Sequence, residues 1–199
     1  MANLILVRHG ESEWNQKGLR TGLTDIGLTE KGKNEARFAG EKLKNIPIDL
    51  AYTSVLLRAK QTLDEIKKVL NLENLPTTEN AALNERDYGI YTGKNKWEIQ
   101  KEVGNEKFQE IRRGWDAPIG KGESLKDVYD RVVPYYETEI LPKLKEGKNI
   151  LISAHGNSLR ALVKYLDNLS DTEVENLEIP TGQIYIYNIT KNRAVKVAP

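Results

Sequence analysis

One apolar stretch near the N-terminus constrains the fold of this chain more than any other feature. Residues 4–7 are four consecutive aliphatic side chains, and Arg8, His9 and Gly10 follow them directly. An aliphatic run without alternation is typical of a strand covered on both faces, as in a parallel sheet. Residues just past such a strand emerge at the edge where open α/β sheets place their ligands. We therefore predict that Arg8 and His9 face a ligand, and that Gly10 turns the backbone sharply to leave room for a substrate group beside the imidazole.

The second histidine of the chain repeats this plan. A lone histidine at a strand end is more often a structural residue, bonded to a loop carbonyl, than a catalytic one. The chain contains only two histidines, however, and His155 follows the aliphatic stretch 149–154 and directly precedes Gly156. Two histidines placed at random would rarely share this context. The repetition therefore favours a catalytic pair.

Composition limits the class of protein. The 199 residues suit a single domain, 1–199, and Lys plus Arg (30) nearly balance Asp plus Glu (29), so no broad field attracts nucleic acid or a membrane. The absence of cysteine excludes disulfides, thiolate nucleophiles and cysteine-based zinc sites. The chain enters its first strand without a targeting leader, and no later stretch is apolar enough to span a membrane. We expect a soluble, cytoplasmic protein with neither nucleic-acid nor membrane partners.

The order of predicted elements indicates an α/β fold, a three-layer sandwich around a mostly parallel central sheet. The predicted strands are 4–7, 49–54, 149–154, 184–187 and a tail or edge strand at 193–197. The predicted helices are 29–45, which Pro47 stops, 56–70, a stretch from about 97, one from 125 that Pro134 bends or interrupts, and one after Gly156.

Two further regions carry candidate site residues. Arg58 falls in the first turn of helix 56–70, off its buried stripe, where the helix dipole disfavours a cation unless an anion is bound. The stretch 83–96 fits neither helix nor strand periodicity, and its Glu85, Tyr88 and Lys96 offer a proton carrier, a hydroxyl and an anion-binding group.

Other polar features are less specific. The glycines of the loop 18–27 suit a backbone lying close to a ligand, although a plain surface loop fits as well. The pair Arg112 and Arg113, taken alone, fits a solvated face.

Two imidazoles among arginines favour phosphoryl transfer. The planar guanidinium matches phosphate oxygens, and a neutral His9 can attack phosphorus and hold it as a phosphohistidine while His155 and the arginines stabilise the equatorial oxygens. Glu85 is the best-placed carboxylate for moving the substrate proton. A two-histidine metal site is the competing chemistry. It is disfavoured because no Asp or Glu stands at a matching strand end and the arginines repel a cation.

Beyond the histidines, a series of short motifs runs nearly from end to end of the chain. These motifs are Arg8-His9-Gly10-Glu11-Ser12, Trp14-Asn15, Thr21-Gly22, Thr53-Ser54-Val55-Leu56 with Arg58, Leu83-Asn84-Glu85-Arg86 with Tyr88-Gly89, Asn95-Lys96, Arg112-Arg113, His155-Gly156-Asn157-Ser158-Leu159-Arg160-Ala161-Leu162 and Ile179-Pro180-Thr181-Gly182. Together they resemble the cofactor-dependent phosphoglycerate mutases of the histidine phosphatase superfamily. The opening motif alone supports only the superfamily, whereas the segments around Glu85 and after His155 point to the mutase branch.

The resemblance implies interconversion of 3-phosphoglycerate and 2-phosphoglycerate in glycolysis and gluconeogenesis, primed by 2,3-bisphosphoglycerate and without a metal. It implies that His9 is the phosphohistidine, Glu85 the proton donor and acceptor, His155 a transition-state stabiliser, and Arg8 and Arg58 the holders of the transferring phosphoryl group. The residues that it places at the substrate are Arg8, His9, Gly10, Glu11, Ser12, Asn15, Thr21, Gly22, Arg58, Glu85, Arg86, Asp87, Tyr88, Lys96, Arg112, Arg113, Gly156 and Asn157.

The chain departs from many family members in three places. Asp87 stands where many have a second histidine, residues 114–122 replace a long insertion, and the tail after Arg193 is short. Because lids and tails exclude water, the shortening predicts more phosphatase leakage or weaker retention of the bisphosphate. The alternatives are a histidine phosphatase acting on small phosphate esters and a non-catalytic phosphoanion-binding protein. The oligomeric state stays open, a homo-oligomer included.

Overall fold

A six-stranded sheet forms the centre of the fold. The computed structural model describes residues 2–190 and 194–197. The strands, in chain order, are β1 (Ala2–Arg8), β2 (Leu50–Thr53), β3 (Thr77–Glu79), β4 (Ile150–Ala154), β5 (Ile184–Ile189) and β6 (Ala194–Val197). Their order across the sheet is β3-β2-β4-β1-β5-β6; the first four are parallel, while β5 runs antiparallel to β1 and β6 antiparallel to β5. The predicted mostly parallel sheet is confirmed.

Helices cover both faces of the sheet. They are α1 (Glu13–Gln16), α2 (Glu30–Leu43), α3 (Leu57–Leu70), α4 (Lys96–Val103), α5 (Asn105–Arg113), α6 (Leu125–Tyr135), α7 (Leu141–Lys145), α8 (Gly156–Asp167) and α9 (Asp171–Asn176), with single 3-10 turns at Ala81–Leu83 and Gly89–Tyr91. Strand β1 shows why three layers form. Leu4 and Leu6 pack in the core with α6 and α8, whereas Ile5 and Val7 pack in the core with α2 and α3.

Several helix ends confirm the sequence reading. Thr29 caps α2 by accepting from the Gly32 N–H at 3.0 Å, and Ser124 with Asp127 forms the capping box of α6. The helix predicted from about 97 is in fact two helices, because Gly104 takes a positive φ of 81° between α4 and α5. Three short elements, α1, β3 and α9, were not predicted.

The region after α6 differs from the expected interruption at Pro134. The proline lies inside α6, and the chain then widens into a π-helical turn at Tyr136–Ile140 before α7. Since proline lacks an N–H and crowds the preceding turn, a widened turn beside it is a common accommodation. At the C-terminus, the predicted strand 193–197 appears as β6, and Arg193 lies outside the described residues.

Pairing between β1 and β4 sets the position of the two histidines. The parallel register places Arg8 beside Ala154, so His9 and His155 are the next residue on each strand. The backbone N–H of His9 donates to the carbonyl of Ala154 at 2.9 Å. The two local motifs, far apart in sequence, therefore end side by side at one edge of the sheet. In the part of the chain that the structure describes, no helix combines the length and apolarity needed to cross a bilayer.

Candidate active site

The two imidazoles meet in the interior. The ring centroids of His9 and His155 lie 5.0 Å apart, with an angle of 60° between the ring planes. Both side chains are buried, with 2% and 0% of their surface exposed. The two histidines are therefore close together, as their shared sequence context predicts, and the rings are shielded from bulk water.

His9 has a defined tautomer. Its Nδ1 lies 2.7 Å from the carbonyl oxygen of Gly10, and a carbonyl can only accept, so Nδ1 carries the proton. Burial, together with the charges of Arg58 and Arg8, lowers the pKa of His9 well below its ordinary value. The ring is therefore neutral near pH 7, and its Nε2 holds a free electron pair.

His155 uses the opposite ring nitrogen. Its Nε2 lies 2.6 Å from the hydroxyl oxygen of Ser54, whereas its Nδ1 is buried and has no hydrogen-bond partner among the described residues. Burial, then the charges of Arg58, His9 and Arg8, lower the pKa of His155 well below its ordinary value. If the Ser54 hydroxyl donates to Nε2, the proton of the neutral ring sits on Nδ1, where it is an unused donor.

Two buried arginines flank the histidines. Arg58 is 1% exposed in the first turn of α3, and its guanidinium donates to the carbonyls of Thr24 and Gly22 at 2.9 and 2.8 Å. Arg8 donates to the carbonyl of Ile179 at 2.5 Å. Carbonyl partners fix the direction of these guanidinium groups without neutralising their charge. The site thus keeps a positive potential that suits an anion.

Glu85 is an ionised carboxylate in the same interior. Its Oε1 accepts from the backbone N–H of Arg86 at 2.7 Å and from the Asn157 side-chain amide at 2.8 Å. Burial by itself raises the pKa of Glu85, but these hydrogen bonds and the charges of Arg8 and Arg58 outweigh it, so the pKa lies below its ordinary value. The same Asn157 amide donates to the Tyr88 hydroxyl at 3.0 Å, which links Tyr88 to the carboxylate.

Two adjoining cavities open above these groups. The histidine cavity, about 100 Å³, is lined by Arg8, His9, Asn15, Leu19, Arg20, Thr21, Gly22, Arg58, Glu85 and Tyr88. The arginine cavity, about 360 Å³, is lined by Arg8, Glu11, Asn15, Gly18, Leu19, Arg20, Glu85, Tyr88, Lys96, Arg112, Arg113, Gly156, Asn157, Arg160, Glu178, Ile179, Pro180 and Thr181. Arginine and lysine outnumber glutamate on these walls, so the combined space favours a ligand with more than one negative group.

The arginine cavity gathers three predicted anion-binding groups from α4 and α5. Burial and the neighbouring charges of Arg20 and Arg112 lower the pKa of Lys96, and burial with the charge of Arg112 lowers the pKa of Arg113 to about 10. Both arginines bind the carboxylate of Glu178; the contact from Arg112 is 2.9 Å. The pair is therefore part of a cavity wall and not a simple solvated face.

Gly10 is required for close packing of two backbone segments. A Cβ at Gly10 would collide with the backbone carbonyl of Gly32 in α2, and a Cβ at Gly32 would collide with the carbonyl of Glu11. The absence of a side chain at Gly10 thus allows two backbone segments to touch. Gly10 lines neither cavity.

Three other predicted binding residues also lie off the cavity walls. Ser12 is 0% exposed and caps α1, where its hydroxyl donates to Asn15 at 2.9 Å. Arg86 is fully buried, donates to the carbonyl of Ile111 and lies 4.8 Å from the Tyr88 ring. The carboxylate of Asp87 accepts from the backbone N–H of Gly89 at 2.8 Å. Each side chain is used within the fold itself, which positions its neighbours.

Sequence reasoning missed several residues of the site. The hydroxyl of Ser54 follows β2, the parallel neighbour of β4, so its strand-end position was an available signal. Arg20 lines both cavities and directly precedes the predicted Thr21 and Gly22. The remaining missed residues are Gly18, Leu19, Arg160, Glu178, Ile179, Pro180 and Thr181. Among the described residues, no group of three or more His, Cys, Asp or Glu side chains is placed to hold a metal ion.

Comparisons with known proteins extend over almost the whole chain. Residues 4–198 match the sequence model of the histidine phosphatase superfamily (branch 1). A 2,3-bisphosphoglycerate-dependent phosphoglycerate mutase from Chelativorans sp. (strain BNC1) is 50% identical over 194 residues, which cover 96% of this chain and 94% of that protein.

Solved structures share the architecture at lower sequence identity. A phosphoglycerate mutase from Bacillus anthracis str. Sterne superimposes with a TM-score of 0.83 at 22% identity, covering 100% of this chain and 92% of the other. An alpha-ribazole phosphatase from Shigella flexneri gives a TM-score of 0.83 at 26% identity, covering 98% and 94%. Mutases and phosphatases therefore share this fold, and the fold alone does not separate the two activities.

Proposed function

The chain belongs to the histidine phosphatase superfamily, and from this membership and the geometry of the site we propose that it is a 2,3-bisphosphoglycerate-dependent phosphoglycerate mutase. It interconverts 3-phosphoglycerate and 2-phosphoglycerate in the cytoplasm, in glycolysis and gluconeogenesis. The observation that carries the proposal is a neutral, buried His9 beside His155, beneath cavities whose walls are rich in arginine and lysine. The 50% identity to a protein of that name supports the substrate assignment.

His9 is the proposed nucleophile. Its Nε2 electron pair attacks phosphorus, so that the N–P bond forms while the bond from phosphorus to the leaving oxygen breaks. The Gly10 carbonyl holds Nδ1–H at 2.7 Å and stabilises the positive charge that develops on the ring. In the proposed cycle the phosphohistidine is formed from 2,3-bisphosphoglycerate.

His155, Arg8 and Arg58 are the proposed stabilisers of the transferring group. His155 lies beside the His9 ring, and its Nδ1 is buried and has no hydrogen-bond partner among the described residues, so in the proposed mechanism its N–H donates to a phosphoryl oxygen. The two guanidinium groups, already oriented by backbone carbonyls, would bind the remaining oxygens. Together these three groups would supply donors to the phosphoryl oxygens.

Glu85 is the proposed proton carrier. Because it is ionised in the free protein, it can accept the proton of the attacking substrate hydroxyl when the phosphohistidine transfers its group. In the reverse half-reaction, the protonated carboxyl returns that proton to the leaving oxygen. The hydrogen bonds from Asn157 and the Arg86 backbone keep the carboxylate oriented between these steps.

The arginine cavity is the proposed site for the second anionic group. A mutase must retain the bisphosphorylated intermediate while it reorients, and the basic groups on the walls of this cavity are Lys96, Arg112 and Arg113, beside Asn15, Glu11, Tyr88 and Gly156. Thr21 and Gly22 line the adjoining histidine cavity. These residues fit 2,3-bisphosphoglycerate, because one phosphoryl group can lie at His9 while the other meets this basic wall. A simple phosphatase needs no such second site.

The test is to measure two products together after priming with 2,3-bisphosphoglycerate and adding 3-phosphoglycerate. We expect 2-phosphoglycerate to form far faster than inorganic phosphate is released. Faster phosphate release would instead identify a histidine phosphatase. An alpha-ribazole phosphatase has the same fold, so the fold is compatible with this alternative. Absence of both products, and of acid-labile label on His9, would leave a phosphoanion-binding protein.

A matched pair of variants on α4 tests the second site. Lys96→Ala should lower mutase turnover by about 10- to 100-fold, the value of a charged hydrogen bond, and hydrolysis of p-nitrophenyl phosphate much less. Lys101→Ala removes an exposed lysine from the same helix and serves as the control. Equal losses on both substrates in Lys96→Ala would contradict the assignment.

A further inference from the structure

Arg20 is an arginine of the site whose side chain forms no hydrogen bond or ion pair with the described residues. Its Nε and one terminal nitrogen are buried and have no hydrogen-bond acceptor among the described residues. By contrast, Arg58 and Arg8 each donate to carbonyls, although the Nε of Arg8 has no partner among the described residues, and Arg112 and Arg113 bind Glu178. Buried donor nitrogens without an acceptor are unfavourable unless a ligand supplies one.

Aromatic rings hold Arg20 without using its donors. Its guanidinium carbon lies 5.0 Å from the ring centroid of Tyr88 and 5.5 Å from that of Phe108. Contacts through ring faces leave the N–H groups at the edge of a guanidinium free to bind a carboxylate or phosphate. The backbone is also fixed, since the Arg20 N–H donates to Lys94 at 3.0 Å and its carbonyl accepts from Gly93 at 2.8 Å.

The position of Arg20 joins the two cavities. It lines the histidine cavity, where the phosphoryl group is proposed to transfer, and also the arginine cavity, where the second anion is proposed to lie. Burial lowers the pKa of Lys96 most, and the positive charge of Arg20 lowers it further because the two cations repel one another. An anion placed between them relieves this repulsion.

We propose that Arg20 binds the anionic group of the substrate that is not being transferred, either its carboxylate or its second phosphate, and so makes the site selective for phosphate esters with a second negative charge. The inference rests on the proposed function for the identity of the substrate. The binding role itself needs only the free donors and the two cavities. Arg20 is thus a specificity-determining residue that acts by direct contact.

The experiment compares two ligands that differ in one charged group. Glycerol 3-phosphate has the phosphate of 3-phosphoglycerate and lacks its carboxylate. Titration calorimetry of the unprimed protein gives the dissociation constant of each, and their ratio measures selectivity for the second anion. We expect Arg20→Met to weaken binding of 3-phosphoglycerate by about 10- to 100-fold and to reduce this selectivity at least fivefold.

Two further variants separate charge from geometry. Arg20→Lys keeps the charge and loses the planar fork, so it should retain glycerol 3-phosphate binding within about threefold and recover only part of the selectivity. Arg37→Met is the control, because Arg37 lies on α2 and is paired with Glu65 at 2.6 Å. It should change neither dissociation constant.

The outcomes are decisive. The proposal is overturned if Arg20→Met keeps the selectivity of the parent protein, or if both ligands weaken equally while the thermal unfolding midpoint is unchanged. If Arg20→Met loses selectivity and also unfolds at a lower temperature, the loss could come from destabilisation, and Arg20→Lys distinguishes the two causes. If Arg20→Lys recovers no selectivity, that result also contradicts the proposal. The product assay on the parent protein reports separately on the mutase assignment, so either conclusion can fail alone.

Discussion

The two strand-histidine-glycine segments look alike in sequence and differ in how the fold uses them. At the end of β1, the Nδ1 of His9 donates to the next carbonyl in its own chain, at Gly10. At the end of β4, the Nε2 of His155 instead meets Ser54, a residue 101 positions away. The bonded nitrogen is therefore Nδ1 in His9 and Nε2 in His155. The contact of the proposed nucleophile is local, whereas the contact of the proposed hydrogen-bond donor joins residues distant in the chain.

The glycines that follow the two histidines also have different neighbours. Gly10 lies against the backbone of Gly32, where even a methyl group would collide. A Cβ at Gly156 would meet the guanidinium carbon of Arg8 at 3.4 Å, a tight contact with a side chain. The first glycine is thus needed for packing of backbone on backbone, whereas the second lies at the beginning of α8 on the cavity wall.

The largest contrast should appear when each imidazole is removed in turn. His9→Gln should abolish the acid-labile phosphoenzyme and lower turnover by at least ~10⁴-fold, because the nucleophile is gone. His155→Gln should still form phosphoenzyme but lower the rate by about 10²- to 10³-fold, as for loss of one transition-state donor. Rapid-quench labelling distinguishes the two. Persistent label in His9→Gln, or none at all in His155→Gln, would reverse the assigned roles.

Alanine at each glycine tests the packing side of the comparison. Gly10→Ala should destabilise the protein by about 1–3 kcal/mol, since the backbone of α2 must move to admit a methyl group. Gly156→Ala should change the free energy of unfolding by no more than about 0.5 kcal/mol, because a methyl group there would meet Arg8 at 3.4 Å, close to van der Waals distance. Urea unfolding curves give both values. A stable Gly10→Ala variant would show that the segment after His9 is not held by this contact.

The smallest effect is expected at Ser54. Ser54→Ala removes the hydroxyl that contacts the Nε2 of His155, so the ring loses its hydrogen-bonded side-chain partner and the orientation that this contact gives. Turnover should fall by about 3- to 10-fold, the value of one neutral hydrogen bond, with phosphoenzyme formation still detectable. Ser54→Thr, which restores a hydroxyl, should recover part of the rate. An unchanged rate in Ser54→Ala would mean that other contacts fix the imidazole.

Much of the fold could be predicted because its signals are local. The unbroken aliphatic runs of β1 and β4, the stripe of α3 and the caps Thr29 and Ser124 each depend on residues adjacent in sequence. The missed elements have weak local signals. Strand β3 is three exposed residues at a sheet edge, and α9 has only one buried residue, Val174. Such short elements form because they pack against, or pair with, neighbouring secondary structure.

The residues of the candidate site also differ in whether a local sequence signal identifies them. Arg8, His9, Arg58, Glu85 and His155 stand out by their sequence context, and the structure brings them together. Arg20 and Glu178 do not, because an arginine or glutamate in a polar loop is ordinary until a cavity forms around it. Ser12 and Asp87 stay predictions as substrate-binding residues, since they lie off the cavity walls. Both belong to sequence motifs, yet their side chains hold the local backbone.

The sequence by itself determined that two histidines end aliphatic strands of a mostly parallel α/β sheet, because strand formation depends on hydrophobic pattern and parallel strands end at a common edge. Only the tertiary structure decided which nitrogen each ring presents and which cations remain free of partners. Those properties depend on contacts between residues distant in the chain, such as Ser54 with His155 and Arg20 with Phe108. Hydrogen-bond direction and burial are set by such neighbours, and no local pattern contains them.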